Sequence, residues 1–261
     1  GVDVGGTFTD IIRFDQKTGK ILLAKVSSTT KNQAFGVMNA ISAVKSQLSN
    51  VAMIIHGTTT TTNAVLERKL SRTGLITTKG FRDCLELGRR TRPEPYGMKG
   101  HFVPIVPRDL RVEVDERMDF AGRVITPLDE SAVRLAGEKL LKSGVESLVI
   151  HFLHSYANPE HELRAAAILA EFWPNDFVTM GHSLLSESRE FERGVTAAVN
   201  ASVQPILKKY IRKLVEELSN AGYQSELLVM NGNGGTVSAD RVAREAAKTV
   251  MSGPASGVMA A

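Results

Sequence analysis

Val2 and Val4 alternate with Asp3, and a second alternating run follows Gly5-Gly6. The pattern predicts a strand, a glycine turn and a strand over residues 2–14. Gln16-Lys17-Thr18-Gly19 reads as a turn and Ile21 to Val26 as a third strand. Ala34, Val37, Met38, Ile41, Val44 and Leu48 then fall on one face of a helix. Val51 to Ile55 predicts a buried strand that ends at His56-Gly57-Thr58-Thr59. A short helix from Asn63 to Lys69 and a strand from Leu75 to Thr77 follow. Three antiparallel strands succeeded by helix–strand alternation predict a mixed sheet.

Residues 81–109 break the pattern with the proline-rich stretches Arg92-Pro93-Glu94-Pro95-Tyr96-Gly97 and Val103-Pro104-Ile105-Val106-Pro107. Loops of this length inside a domain are commonly functional. Val112, Val114 and Met118 suggest a strand turned at Ala121-Gly122. Thr126 as cap, Pro127 at the first helical position and Asp129 reaching back predict a helix to Ser143, closed by Gly144. Ser147 to Phe152 is an apolar strand. Asn158-Pro159 opens a helix that stops before Trp173-Pro174, and Phe177 to Met180 is a strand. Arg189 to Ala221 is one long helical stripe that Pro205 should kink or split. Leu227 to Met230 is a strand running into Asn231-Gly232-Asn233-Gly234-Gly235, ahead of a helix at Asp240. The expected division is a lobe over 1–200 with an insert near 81–125. The long helix and the start of a second segment then fill 201–261.

Composition narrows the function classes. Apolar residues make up 43% and charged residues 23% of 261, as in a globular protein. Net charge is +4 with a pI near 9.2. Arg89, Arg90 and Arg92 form the only tight basic cluster, without the interleaved aromatics of a strand-binding surface. Nucleic acid is therefore not the expected partner; an anionic small molecule is. The single cysteine, Cys84, excludes an internal disulfide and is expected in the core rather than as a nucleophile. No leader and no apolar stretch near 18 residues is visible, so the expectation is a cytoplasmic protein without a membrane partner. The missing initiator Met and the final small-residue run read as an excised piece of a longer protein.

The opening turn carries the most chemistry. Bare amides at Gly5 and Gly6, hydroxyls at Thr7 and Thr9, and carboxylates at Asp3 and Asp10 suit a nucleotide phosphate. A carboxylate such as Asp3 can hold Mg²⁺ through water. Gly57, Thr58 and Thr59 sit at a strand end before a helix and read either as a phosphate or substrate contact, since such a place attracts anions, or as a threonine-rich helix cap with His56 a hydrogen-bonded core residue. Gly234 and Gly235 form a second backbone-exposing loop. Arg89, Arg92 and Tyr96 read either as a substrate-facing lid or as a solvated charged face, and His101 is the catalytic outsider of the same loop. No two histidines have the i, i+4 spacing of a helical zinc pair. Arg189, Glu190, Glu192 and Arg193 read as ion pairs along their helix.

The hairpin with its helix–strand alternation resembles the actin-like ATPase fold. More of the chain narrows the match. The opening decapeptide, His56-Gly57-Thr58-Thr59 with Thr62-Asn63-Ala64, Gly74 to Asp83, Arg189-Glu190-Phe191-Glu192-Arg193 and Ser252-Gly253-Pro254 occur in this order. Together they closely resemble the hydantoinase A/5-oxoprolinase family. The resemblance implies an α/β fold, the ribonuclease H-like first lobe of an actin-like ATPase. It implies ATP- and Mg²⁺-dependent opening of a cyclic amide (a hydantoin, 5-oxoproline or a lactam). It assigns Asp3, Gly5, Gly6, Thr7 and Thr9 to the first phosphate loop. Asp10 would polarise the nucleophile or serve the Mg²⁺, and the sequence does not rank Asp3 against Asp10. It further implies a hetero-oligomer with a hydantoinase B-type subunit, and a second phosphate loop beyond Ala261 without which this stretch is inactive. Two other readings stay open: a ketone-carboxylase subunit, and a non-catalytic nucleotide-binding module.

Overall fold

A computed structural model describes residues 1–29, 33–89, 94, 96–97, 100, 102–253 and 255. The strands are β1 (Val2–Val4), β2 (Phe8–Phe14), β3 (Ile21–Ser27), β4 (Ile54–Thr58), β5 (Thr73–Thr78), β6 (Arg111–Val114), β7 (Arg117–Met118), β8 (Val124–Thr126), β9 (Ser147–His151), β10 (Val178–Met180), β11 (Leu227–Met230) and β12 (Thr236–Ser238). The helices are α1 (Gln33–Ala43), α2 (Thr60–Leu66), α3 (Cys84–Leu87), α4 (Glu130–Lys142), α5 (Glu160–Ala170), α6 (Gly181–Leu184), α7 (Glu190–Asn220) and α8 (Ala239–Arg244). They fall into two compact units: Gly1–Lys69 with Val203–Ala261, and Leu70–Ser202.

The first unit is built on a six-stranded mixed sheet in the order β12-β11-β4-β1-β2-β3. β1 pairs antiparallel with β2 and parallel with β4, and β11 pairs parallel with β4. Val2, Val4, Thr9 and Ile11 all point to the covered face, where α1 packs. The other face of β2 and β3 leaves Ile12, Phe14, Ile21 and Leu23 exposed. Because β1, β3, β4 and β11 run the same way, their carboxyl ends share one edge of the sheet.

Two expectations change here. The carboxyl-terminal residues do not begin a separate segment, because β11 joins β4 in the sheet that holds β1. The strand expected at Val51 to Ile55 is Ile54–Thr58, and the following helix starts at Thr60 rather than Asn63. His56 and Thr58 are polar yet point inward, so the strand outruns its apolar stretch.

The second unit has a wholly parallel sheet, β10-β9-β5-β6. β5 and β9 are buried along their whole length, as in a sheet covered on both faces. Leu75, Ile76, Leu140, Val149, Ile150 and Leu169 form the centre of its core. Residues 70–202 are thus an α/β unit of their own, larger than the insert expected near 81–125. Asp129, not Thr126, caps α4: its Oδ1 accepts from the amide of Ala132 at 3.0 Å. Thr126 lies in β8 instead.

Pro205 neither splits α7 nor ends it. Proline removes the amide that would bond the carbonyl four residues earlier, that of Ala201. The Ser71 hydroxyl reaches the Ala201 carbonyl at 3.4 Å and that of Ser202 at 2.9 Å, and the Ser71 amide adds a bond to Ser202 at 3.0 Å. These donors offset the loss, so the helix continues.

Candidate functional site

The shared carboxyl edge of the first unit collects the β1–β2 turn, the residue pair after β3, the β4–α2 corner, the β11–β12 turn and Ser252. Register puts Asp3 directly across from Asp10 on one side and Gly57 on the other. The Asp3 carboxylate lies over Gly57, where an added Cβ would stand 2.7 Å from its Oδ1. Asp10 pairs with Lys25, the next residue in the same cross-strand row, at 3.1 Å. Asp3 has no cation and no hydrogen-bond donor among the described residues. Burial, and secondarily the charge of Asp10, raise its carboxyl above the ordinary range.

The turn itself keeps only part of its expected inventory. The amide of Gly5 is used by the carbonyl of Phe8 at 2.9 Å, and a Cβ at Gly5 would sit 3.1 Å from that oxygen. Glycine is needed there for close approach, since neither Gly5 nor Gly6 has a positive φ. Thr9 is 0% exposed and does not face the edge. Its hydroxyl pairs with Ser28 Oγ at 2.9 Å, and Ser28 in turn donates to the carbonyl of Gly5 at 2.8 Å. Thr9 therefore braces the turn from beneath instead of lining it. Gly6 and Thr7 are exposed, and their amides meet no acceptor among the described residues. What remains for a ligand is two amides, the Thr7 hydroxyl, Asp3 and Asp10.

The β4–α2 corner is tied to this turn. The Thr59 amide and hydroxyl both bond the carbonyl of Val4, at 3.2 and 3.3 Å. Asn63 Nδ2 donates to Thr59 Oγ1 at 3.1 Å. Thr58 is buried, and its carbonyl accepts from Ser252 Oγ at 3.1 Å. The His-Gly-Thr-Thr and Ser-Gly-Pro motifs thus meet in space, through Thr58 and Ser252. Gly234 and Gly235 form a hairpin turn between β11 and β12, not a loop that leads straight into a helix. Their amides are taken internally, by the Asn231 carbonyl at 3.0 Å and Asn233 Oδ1 at 3.0 Å. That satisfaction leaves them no free donor for a phosphate.

The substrate-side candidates lie in the second unit. Arg89 ion-pairs with Glu192 near the start of α7. Tyr96 is 87% exposed. Arg92 and His101 lie outside the described residues. Arg193 is not part of an ion-pair ladder along α7. It is 0% exposed, and its guanidinium donates to the carbonyls of Glu187 at 2.6 Å and Phe152 at 3.2 Å. Cys84 is half-buried, and burial pushes its thiol up to about 11, which makes it a poor nucleophile. Among the described residues no group of three or more His, Cys, Asp or Glu is placed to hold a metal. No described helix is long and apolar enough to cross a membrane.

Sequence reasoning missed Lys25, Ser28 and Tyr210. Each matters only through a partner distant in the chain, and nothing local marks it.

Two buried histidines predict an acid response. Burial holds His56, in the first unit, and His151, in the second, down at about 4 against an ordinary 6.5. The folded protein therefore keeps both neutral while the unfolded chain takes up protons. Stability is expected to be level above about pH 6.5 and to fall as the pH drops towards 4. Each histidine should cost about 2 kcal/mol between pH 7 and pH 5. Urea melts at the two pH values measure the loss, and His56→Gln should remove its share.

The family profile described as Hydantoinase/oxoprolinase N-terminal region matches residues 1–173, and a profile described as Hydantoinase/oxoprolinase matches residues 193–261. The caprolactamase subunit alpha of Pseudomonas jessenii is 31% identical over 100% of this chain and 39% of its own length. The crystal structure of the ATP-dependent caprolactamase from that organism superposes with a TM-score of 0.82, covering 98% of this chain and 38% of that one. The 5-oxoprolinase of Saccharomyces cerevisiae is 30% identical over 99% of this chain and 23% of its own length. The nucleotide-free structure of acetone carboxylase, an enzyme of ATP-dependent acetone carboxylation, superposes with a TM-score of 0.87 at 29% identity, covering 99% of this chain and 39% of that one. The chain therefore spans about two fifths or less of the relatives it matches.

Proposed function

This chain belongs to the hydantoinase/oxoprolinase family, and from that premise we propose that its protein is an ATP-dependent hydrolase of cyclic amides. The carrying observation is the β1–β2 turn: free amides at Gly6 and Thr7 and the Thr7 hydroxyl stand beside two facing carboxylates. Amides and a hydroxyl donate to phosphate oxygens. Gly5 and Thr9 serve that turn by bracing its backbone.

The residues also fit Mg²⁺. Asp3 is unpaired and crowded by Asp10, and a hard cation beside it would relieve both burdens. Two carboxylates with water and phosphate oxygens are a normal donor set for this ion. Asp3 is the proposed holder, through water, and Asp10 the residue that orients or polarises the attacking group. Bound ATP would supply the phosphoryl group that makes an amide oxygen a leaving group. An unstrained lactam resists attack by water, and positioning plus charge neutralisation is the protein's share of the work. Arg89 and Tyr96 are proposed substrate-side residues, with Arg92 and His101 carried from the sequence alone. A hydantoinase B-type subunit is the proposed partner in a cytoplasmic hetero-oligomer.

The second reading is a ketone-carboxylase subunit, favoured by the high structural similarity to acetone carboxylase. ADP release by the full-length protein separates the two. Stimulation by hydantoin, 5-oxoproline or caprolactam is expected. Stimulation by acetone with bicarbonate alone would favour the carboxylase, and tight ATP binding without turnover on any of them would favour a non-catalytic module.

A further inference from the structure

We infer that Tyr210 is a positioning residue for the phosphate-binding edge, acting through His56 and the β4–α2 corner; the inference rests on the nucleotide reading above.

Tyr210 lies on α7, and its Oη stands 2.8 Å from His56 Nε2. His56 stands two residues before Thr58 on β4, and both side chains are buried on the same face. A row of hydroxyls continues outward from Thr58. Thr58 Oγ1 lies 2.7 Å from Thr60 Oγ1, and Thr60 donates to Gln33 Oε1 at 2.5 Å. Thr60 has one hydroxyl hydrogen and gives it to Gln33, so Thr58 donates to Thr60. The Thr60 amide also bonds Thr58 Oγ1, at 3.2 Å. β4 therefore joins the phenol on α7 to a part-buried hydroxyl row at the first turn of α2.

That corner is what holds the turn. Thr59 lies between the two threonines of the row and makes both bonds to the carbonyl of Val4, the residue before Gly5-Gly6. A phenol at the inner end thus sets where the Gly6 and Thr7 amides point. Removing that oxygen leaves buried His56 Nε2 without its partner, and the strand end that carries the corner must rearrange to satisfy it.

The same strand carries an internal control. At its amino end, Tyr223 Oη accepts from the Ile54 amide at 2.9 Å and donates to the Glu226 carbonyl at 3.0 Å. Tyr223→Phe removes the same atom, also hydrogen-bonded against β4, but away from the carboxyl edge. A merely structural role predicts equal behaviour of the two variants.

The test compares Tyr210→Phe and Tyr223→Phe in the full-length protein by amide hydrogen exchange and ATP turnover. Tyr210→Phe is expected to speed exchange at least fivefold at Thr59, whose amide is the one bonded to Val4. It should raise the KM for ATP about 5–10-fold with kcat within twofold. Tyr223→Phe should change neither, whatever its effect on Tm. Equal exchange at Thr59 in the two variants overturns the inference. If the wild-type protein turns over no ATP, the proposed function falls, and the exchange comparison alone still decides the role of Tyr210.

Discussion

Asp10→Ala in the full-length protein is expected to cut amide-dependent ATP turnover about 10²–10³-fold while leaving the fold intact. The size is that of losing one charge-organising group from a pre-formed site. The stability cost is small because the only ion pair lost among the described residues is the exposed one to Lys25, and exposed pairs are worth at most about 1 kcal/mol. Lys25→Ala is the matching control: it breaks the same pair and keeps the carboxylate. A second consequence follows from the Asp3–Asp10 facing pair. Without the Asp10 charge, the Asp3 carboxyl loses one of the two influences that raise it, so its titration should move to lower pH. Carboxyl NMR reads that shift, and ADP release reads turnover. Unchanged turnover in Asp10→Ala would sink the phosphate-loop assignment.

Gly57→Ala should cut turnover about 10–100-fold without touching a catalytic side chain. Its new Cβ would lie 2.7 Å from Asp3 Oδ1, too close for the carboxylate to stay where it is. A short carboxylate can rotate away, so the cost falls on its position rather than on the fold. Alanine also suits a strand interior better than glycine. Tm is therefore expected to hold within a few degrees. A large fall in Tm alongside the lost activity would mean that the corner, not Asp3, had moved. Full activity would mean that the place of Asp3 over Gly57 has no bearing on the reaction.

The hairpin and α1 were legible because their periods are local. Val2, Asp3 and Val4 announce both faces of β1. Ala34, Val37 and Ile41 mark the buried side of α1 in the same way. β4 was misplaced because its last residues are His56, Gly57 and Thr58. Their inward side chains are polar, and what receives His56 is Tyr210, 154 residues later. Thr9 shows the limit at a site. Spacing from Thr7 placed both hydroxyls at a phosphate, but Thr9 belongs to the covered face of β2 and Ser28 claims it. The Gly234-Gly235 loop took a hairpin form for a related reason: a glycine-rich turn satisfies its own amides once β12 folds back on β11.

By itself the amino-acid sequence determined the family and the α/β character, and it singled out the decapeptide proposed to bind phosphate. Those are matters of residue type, short spacing and turn chemistry, all carried by neighbours along the chain. Only the tertiary structure decided that β11 joins β4, that Arg193 turns inward, and which donors of the opening turn stay free. Those outcomes depend on register between distant strands and on which buried polar atom finds a partner first, and no local pattern encodes either.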